Sequence, residues 1–171
     1  MLLMRRPVST EKAYALFGML LGALPPAVIF SKLFGYGMTA GSARESGSAV
    51  MFFILSLVMN VLCCLAGNFL GAKVSRMVQA IERDSWTKML VKSPLVGAIW
   101  GAGTGAIGGF FFFGIGAFFG AASAASVGAL AFALFTPLHR LLERGGMIET
   151  RHFLPLACGI TLTISALILG L

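Results

Sequence analysis

The sequence predicts an all-α integral membrane protein with about five transmembrane helices, spans 3 and 4 forming a glycine-zipper helical hairpin. Three observations predict it. From Ser93 to His139 there is no Asp, Glu, Lys or Arg. A span takes about 20 mostly apolar residues, so this run holds two spans and a tight turn. Within it small residues recur every fourth position, at Gly97, Gly101, Gly105 and Gly109, then Gly116, Gly120, Ala124 and Gly128. Helices in lipid associate through close backbone packing, which such stripes permit. Finally, the chain is 58% hydrophobic and 11% charged, against about 45–50% and about 25% in soluble domains. Apolar sequence in runs of this length suits a bilayer, not a soluble core.

The 171 residues form a single polytopic domain, 1–171. Arg5, Arg6 and Lys12 precede a first span at about 13–36. The run continues past Ala23 with no small-residue cleavage site before a polar segment, so the span is read as retained and not as a signal. Pro25-Pro26 lies in its middle, where a missing donor and a clash with the preceding turn predict a kink. Gly18 and Gly22 are a close-packing pair, and Lys32 can snorkel to an interface. A Gly/Ser-rich connection, 38–48, holds Arg44 and Glu45.

The second span covers about 49–72. Ser56, Asn60, Cys63, Gly67 and Gly71 share one helix face. Asn60 and Asn68 are the most polar side chains in any span, suited to interhelical hydrogen bonds or to lining a polar path or ligand site. The loop 73–92 is the most charged part of the chain. Its Val74, Met77, Val78, Ile81 and Met89 approximate helical spacing, which predicts a helix continuing along the membrane surface. Lys73, Arg76, Arg83, Lys88 and Lys92 would then face water or headgroups, with Trp86 as an interfacial anchor.

Ser93-Pro94 predicts the start of the third span, at about 94–111. Gly114 and Gly116 are the candidates for the turn into the fourth, at about 115–135. In the loop 138–152, Leu138, Leu141 and Leu142 continue a helical turn until Gly145-Gly146 stop it. The last span, about 153–171, has a small face of Gly159, Thr163, Ala166 and Gly170.

Lys and Arg collect at the N-terminus and in the loops 73–92 and 138–152, whereas only Lys32 and Arg44 fall on the alternate side. The positive-inside rule therefore predicts a cytoplasmic N-terminus and an external C-terminus, in a bacterial inner (plasma) membrane. The net charge of +7 is parcelled between apolar runs instead of gathered on one face. That pattern fits anionic headgroups and argues against nucleic acid.

The chemistry that enzymes and pumps need is mostly missing. Glu11, Glu45, Glu82, Asp84, Glu143 and Glu149 all fall outside the predicted spans, which leaves no obvious proton relay at membrane depth. There is no HExxH, GxSxG or P-loop pattern. Cys63, Cys64 and Cys158 lack metal or redox spacing and read as small apolar residues. No catalytic, metal or cofactor residue is assigned, and the sequence does not say which cofactor, if any, is bound. Arg76, Arg83, Lys88, His139, Arg140, Arg144, Arg151 and His152 are the candidates for headgroup or partner contact. His139, Arg140, Glu143 and Arg144 would share a helical face if the helix continued through them.

The function expected is a non-enzymatic accessory or scaffold subunit of a larger membrane complex, self-associating or joined to other subunits. A small-solute channel or permease is the alternative, built on the Asn60/Asn68 face or the Pro25-Pro26 kink. A second alternative is an interfacial lipid-modifying enzyme, built on 138–152.

Overall fold

The computed structural model describes residues 7–39, 46–110 and 114–170. Arg5, Arg6, Arg44, Glu45 and the turn residues 111–113, on which sequence expectations fall, lie outside the described residues. Five helices are present among the described residues: α1 (Thr10–Thr39), α2 (Ser46–Glu82), α3 (Trp86–Gly109), α4 (Ile115–Leu142) and α5 (Thr150–Leu169). Two short strands, β1 (Pro7–Ser9) and β2 (Met147–Glu149), join them. Four helices carry stretches long and apolar enough to cross a membrane: Thr10–Ile29, Phe53–Glu82, Ile115–Leu142 and Thr150–Leu169. α3, with Lys88, Lys92 and many glycines in its 24 residues, is not one of the four.

The helices form two antiparallel hairpins held by backbone-to-backbone contact. In the first, Gly71 faces Tyr14, Gly67 faces Gly18, and Cys63 faces Gly22. In the second, Gly97 faces Gly128, Gly101 faces Ala124, Gly105 faces Gly120, and Gly109 faces Gly116. Each step of four along one helix is met by a step of four back along the other. A β-carbon on Gly67, Gly71, Gly97, Gly101, Gly105 or Gly109 would fall well under 3.0 Å from the facing carbonyl oxygen, so only glycine allows this approach. α3 packs on α2, and α5 packs on α1 and α4.

Trp100 seals the junction of the hairpins. Its indole N–H donates to the Gly67 carbonyl at 3.1 Å, and its ring lies against the Gly18–Gly67 contact. Cys63 Sγ fills the space over Gly108, which fits the apolar role expected of this cysteine. Trp100→Phe is expected to lower stability by about 1 kcal/mol for the lost hydrogen bond. A reversible unfolding titration in mixed micelles checks this; an unchanged midpoint would mean the indole N–H contributes nothing there.

The densest core sits at the end where β1, the α2–α3 turn and β2 meet. Tyr14, Phe17, Phe132, Phe135, Phe153 and Ile148 are fully or almost fully buried. Phe17 and Phe135 stack with centroids 3.9 Å apart. β1 and β2 pair antiparallel with Val8 opposite Ile148. Thr10 donates from both its backbone N–H and its hydroxyl to the Gly146 carbonyl. This ribbon ties the start of α1 to the α4–α5 connection. At the other end the Lys32 ammonium donates to the Ile168 carbonyl at 2.8 Å.

Several sequence expectations change. Residues 73–92 are not one loop: the helix expected to run on from the second span does so, unbroken to Glu82, α3 begins at Trp86, and only Arg83–Ser85 lie between them. Val74, Val78 and Ile81 are buried within the protein, because their stripe continues the face α2 already buries. Ser93-Pro94 is no helix start. Pro94 lies inside α3, which begins beyond Ser85. Of the 138–152 loop, Leu138–Leu142 belong to α4 and β2 follows. Pro25-Pro26, where a kink is expected, lie inside the single helix α1 and do not end it. Gly114 is the turn glycine, with φ of 76°, whereas Gly116 lies inside α4 against Gly109.

Candidate functional site

The stripes that build the core also carry polar groups into it. On α4, Gly128, Ala131, Phe132, Phe135 and Thr136 are buried, and His139 is next on the same face. On α2, Val74, Ser75, Val78 and Ile81 are buried, and Glu82 follows Val78 by four. On α1, Tyr14 sits between Ala13 and Phe17 with no exposed surface. Three helices therefore deliver Tyr14, Glu82 and His139 to one point.

His139 Nδ1 stands 2.9 Å from Glu82 Oε1 and 3.4 Å from Glu143 Oε2. In the tautomer with its proton on Nδ1 the ring donates to these carboxylate oxygens, and in the other tautomer Nδ1 offers them a lone pair. Tyr14 Oη lies 3.1 Å from Thr136 Oγ1 and 3.4 Å from Glu82 Oε1. The imidazole is held in place by Tyr14 and Phe135, with centroids 5.2 and 5.6 Å away. His139 is fully buried, and its Nε2 has no protein partner. The ligand atoms of Glu82, His139 and Glu143 all lie within 4.8 Å of one another.

The cluster borders water. A cleft of about 660 Å³ opens beside it, lined by Ser9, Thr10, Gln79, Glu82, Arg83 and Glu143 among others. Burial, and then the neighbouring Glu82, push the Glu143 carboxyl above the usual carboxylate range. Such a group binds its proton more tightly folded than unfolded, so its contribution favours the folded state more as pH falls. At the rim, Lys92 holds Asp84 below the usual range through a 2.5 Å ion pair. Arg140 donates to the Asp84 carbonyl at 3.0 Å and lies over the Trp86 ring at 4.6 Å.

The expected contact residues thus separate. Arg76, Arg83, Lys88, Arg144, Arg151 and His152 are exposed, as a headgroup or partner contact requires. His139 is not available to a headgroup, because its stripe turns it inward. Arg140 is held against Asp84 and Trp86 instead of reaching outward. The shared helical face of His139, Arg140, Glu143 and Arg144 does not form. α4 stops at Leu142, Glu143 is extended, and Gly145 and Gly146 take φ of 60° and 79° to start the return into β2. Asn68 donates to the Ala15 carbonyl at 3.3 Å, an interhelical bond. Asn60 Oδ1 is buried with no protein partner.

Sequence reading missed Tyr14, Glu82 and Thr136, and with them the presence of a buried ionisable group. The signal was present in periodicity, since Glu82 and His139 each extend a buried stripe by one turn. Their nearness to each other was not, because it depends on how α2 and α4 dock.

No protein-family model, curated protein or solved structure matches this chain.

A second surface differs from the rest. α5 buries Phe153, Ala157, Ile160, Thr161, Ile164 and Ser165 against α1 and α4. On its outer side Gly159 has nothing within 4 Å, and Thr163, which donates to the Gly159 carbonyl at 2.9 Å, is exposed.

Proposed function

We propose that this chain is a five-span, non-enzymatic subunit of a larger membrane assembly, packed internally by its glycine zippers and joined to a neighbour through the outer face of α5. The observation that carries this reading is the use made of the small-residue stripes. Those of α1 with α2, and of α3 with α4, are consumed by contacts within the chain. The Gly159–Thr163 stripe is left uncovered. In lipid such a stripe gains nothing from facing acyl chains and gains close packing against another helix.

The same arrangement supports one orientation. β1, the Arg83–Ser85 turn and the Glu143–Gly146 segment lie at one end, with Lys12, Arg76, Arg83 and Arg144 about them, whereas Lys32 is at the other. The positive-inside rule makes the basic end cytoplasmic, with the N-terminus there and the C-terminus outside. An inner bacterial membrane is the location proposed, with anionic headgroups around the exposed basic residues.

The permease alternative draws less support. A cavity of about 400 Å³ beside Leu62, Ala106, Ile107, Phe110 and Ala117 is apolar, which offers a solute no polar route. A headgroup-processing enzyme loses His139 as a water-facing group, and Arg140, though it lines the cleft, is engaged by the Asp84 carbonyl and the Trp86 ring.

The test is the native mass of the chain after gentle solubilisation from its own membrane. The wild-type chain is expected within a larger particle of fixed stoichiometry. Gly159→Leu with Thr163→Leu, which add bulk only to the open face, should release it as a folded single chain. Recovery of the wild type as a lone species that conducts a solute in vesicles would overturn the reading.

A further inference from the structure

We propose that Glu82, His139 and Glu143 form a binding site for one divalent transition-metal cation of the zinc class, with its remaining coordination positions open to the cytoplasmic-end cleft. The metal site is independent of the assembly reading above, and only the side of the membrane its cleft faces rests on it.

The spacing argues for it first. Four ligands at about 2.0–2.1 Å from Zn²⁺ in a tetrahedron stand about 3.3 Å from one another. His139 Nδ1 already lies 2.9 Å from Glu82 Oε1 and 3.4 Å from Glu143 Oε2, close to that edge, and the three ligand atoms all lie within 4.8 Å of one another. The charge fits as well. Two carboxylates and a neutral imidazole carry −2, which a divalent ion cancels and a monovalent ion does not. The donor set then selects among divalent ions: Ca²⁺ and Mg²⁺ favour all-oxygen shells, whereas an imidazole nitrogen suits Zn²⁺ and its neighbours.

The surroundings supply the outer support that metal ligands usually have. Tyr14 Oη lies 3.4 Å from Glu82 Oε1 and is itself braced by Thr136 at 3.1 Å. The Gly146 backbone N–H reaches the Glu143 carboxylate. Tyr14 and Phe135 fix the plane of the imidazole. With the cation on Nδ1 the ring proton sits on Nε2, which is buried without a protein partner, so this ligand is held by ring packing and not by an outer hydrogen bond. The entry path is the cleft of about 660 Å³, which both glutamates line.

The experiment uses the full chain in detergent micelles or nanodiscs, stripped with a chelator and then titrated with Zn²⁺ and, separately, with Co²⁺. One Zn²⁺ per chain is expected, with visible Co²⁺ absorption bands of a low-coordinate N/O site. Glu143→Gln, at the exposed edge of the cluster, leaves the core packing in place and should weaken Zn²⁺ binding at least tenfold. His139→Asn should abolish the Co²⁺ bands. Tyr14→Phe, which removes the hydroxyl placed between Glu82 and Thr136 and no ligand atom, should cost about 10–100-fold in affinity. Mg²⁺ in excess should not displace the ion. Absence of stoichiometric Zn²⁺ on the wild type, or unchanged affinity in Glu143→Gln, would overturn the assignment.

Discussion

Leucine at both Gly101 and Gly105 is expected to separate α3 from α4 and prevent the chain from accumulating in its folded state. A β-carbon at Gly101 falls against the Ala124 carbonyl, and one at Gly105 against the Gly120 carbonyl. Those neighbours are backbone, so no flexible side chain can yield, and the helices must move apart. Overpacking a core costs about 1–3 kcal/mol per site, occasionally more. Two such sites in one interface approach the roughly 5–15 kcal/mol that holds a domain together. Opening the hairpin also uncouples Gly97 from Gly128 and Gly109 from Gly116, so the loss exceeds the two sites alone. Gly103→Ala is the control. Its β-carbon would meet only Leu70 Cδ1, at 3.1 Å, which is the movable end of a side chain. Thermal unfolding in one detergent, with the three proteins side by side, measures the difference. Wild-type behaviour in the double leucine variant would refute close glycine packing of α3 on α4.

His139→Leu is expected to cost about 2–3 kcal/mol, through lost hydrogen bonding and not through volume. It removes the group that stands between Glu82 and Glu143 and leaves two carboxyl groups facing each other. A hydrogen bond to a charged group contributes about 1.5–3 kcal/mol. The upper part of that range applies here, because the Glu82 and Glu143 side chains keep only 8% and 20% exposure beside the cleft. Replacing both partners, His139→Leu with Glu82→Met, should recover most of that loss, since apolar groups of similar size substitute well for a buried pair. A double-mutant cycle on unfolding free energies reads the coupling directly. Strict additivity would mean that Glu82 and His139 do not interact in the folded protein.

These two experiments address features of unequal legibility. The glycines of α3 and α4 can be read from the chain because the spacing of four is a property of one helix at a time. Their mates follow once a tight turn is placed, as the pairing of Gly109 with Gly116 around Gly114 illustrates. The Glu82–His139 meeting spans 57 residues and two elements that are not adjacent in sequence. No local pattern encodes that distance. The helix continuing into 73–92 is legible from the spacing of Val74, Met77, Val78, Ile81 and Met89, and the cations Lys73, Arg76, Arg83, Lys88 and Lys92 are exposed as that spacing implies. What the spacing does not give is that Val74, Val78, Ile81 and Met89 bury their face within the same chain. The Val8–Ile148 ribbon is as hard to foresee, since its strands are three residues each and lie at distant points of the chain.

What the amino-acid order determines by itself, then, is the all-helical class, the apolar stretches long enough to cross a membrane, and the stripes along which helices can touch. Each is a one-helix property, set by side-chain polarity and by a repeat of about 3.6 residues per turn. Which stripes are consumed inside the chain, which one stays open on α5, and which ionisable groups end up sharing a buried corner are decided only by docking. Docking fixes the rotation and register of each helix against the others. A turn of one residue about the axis, roughly 100°, would carry Glu82 or His139 from the core to solvent.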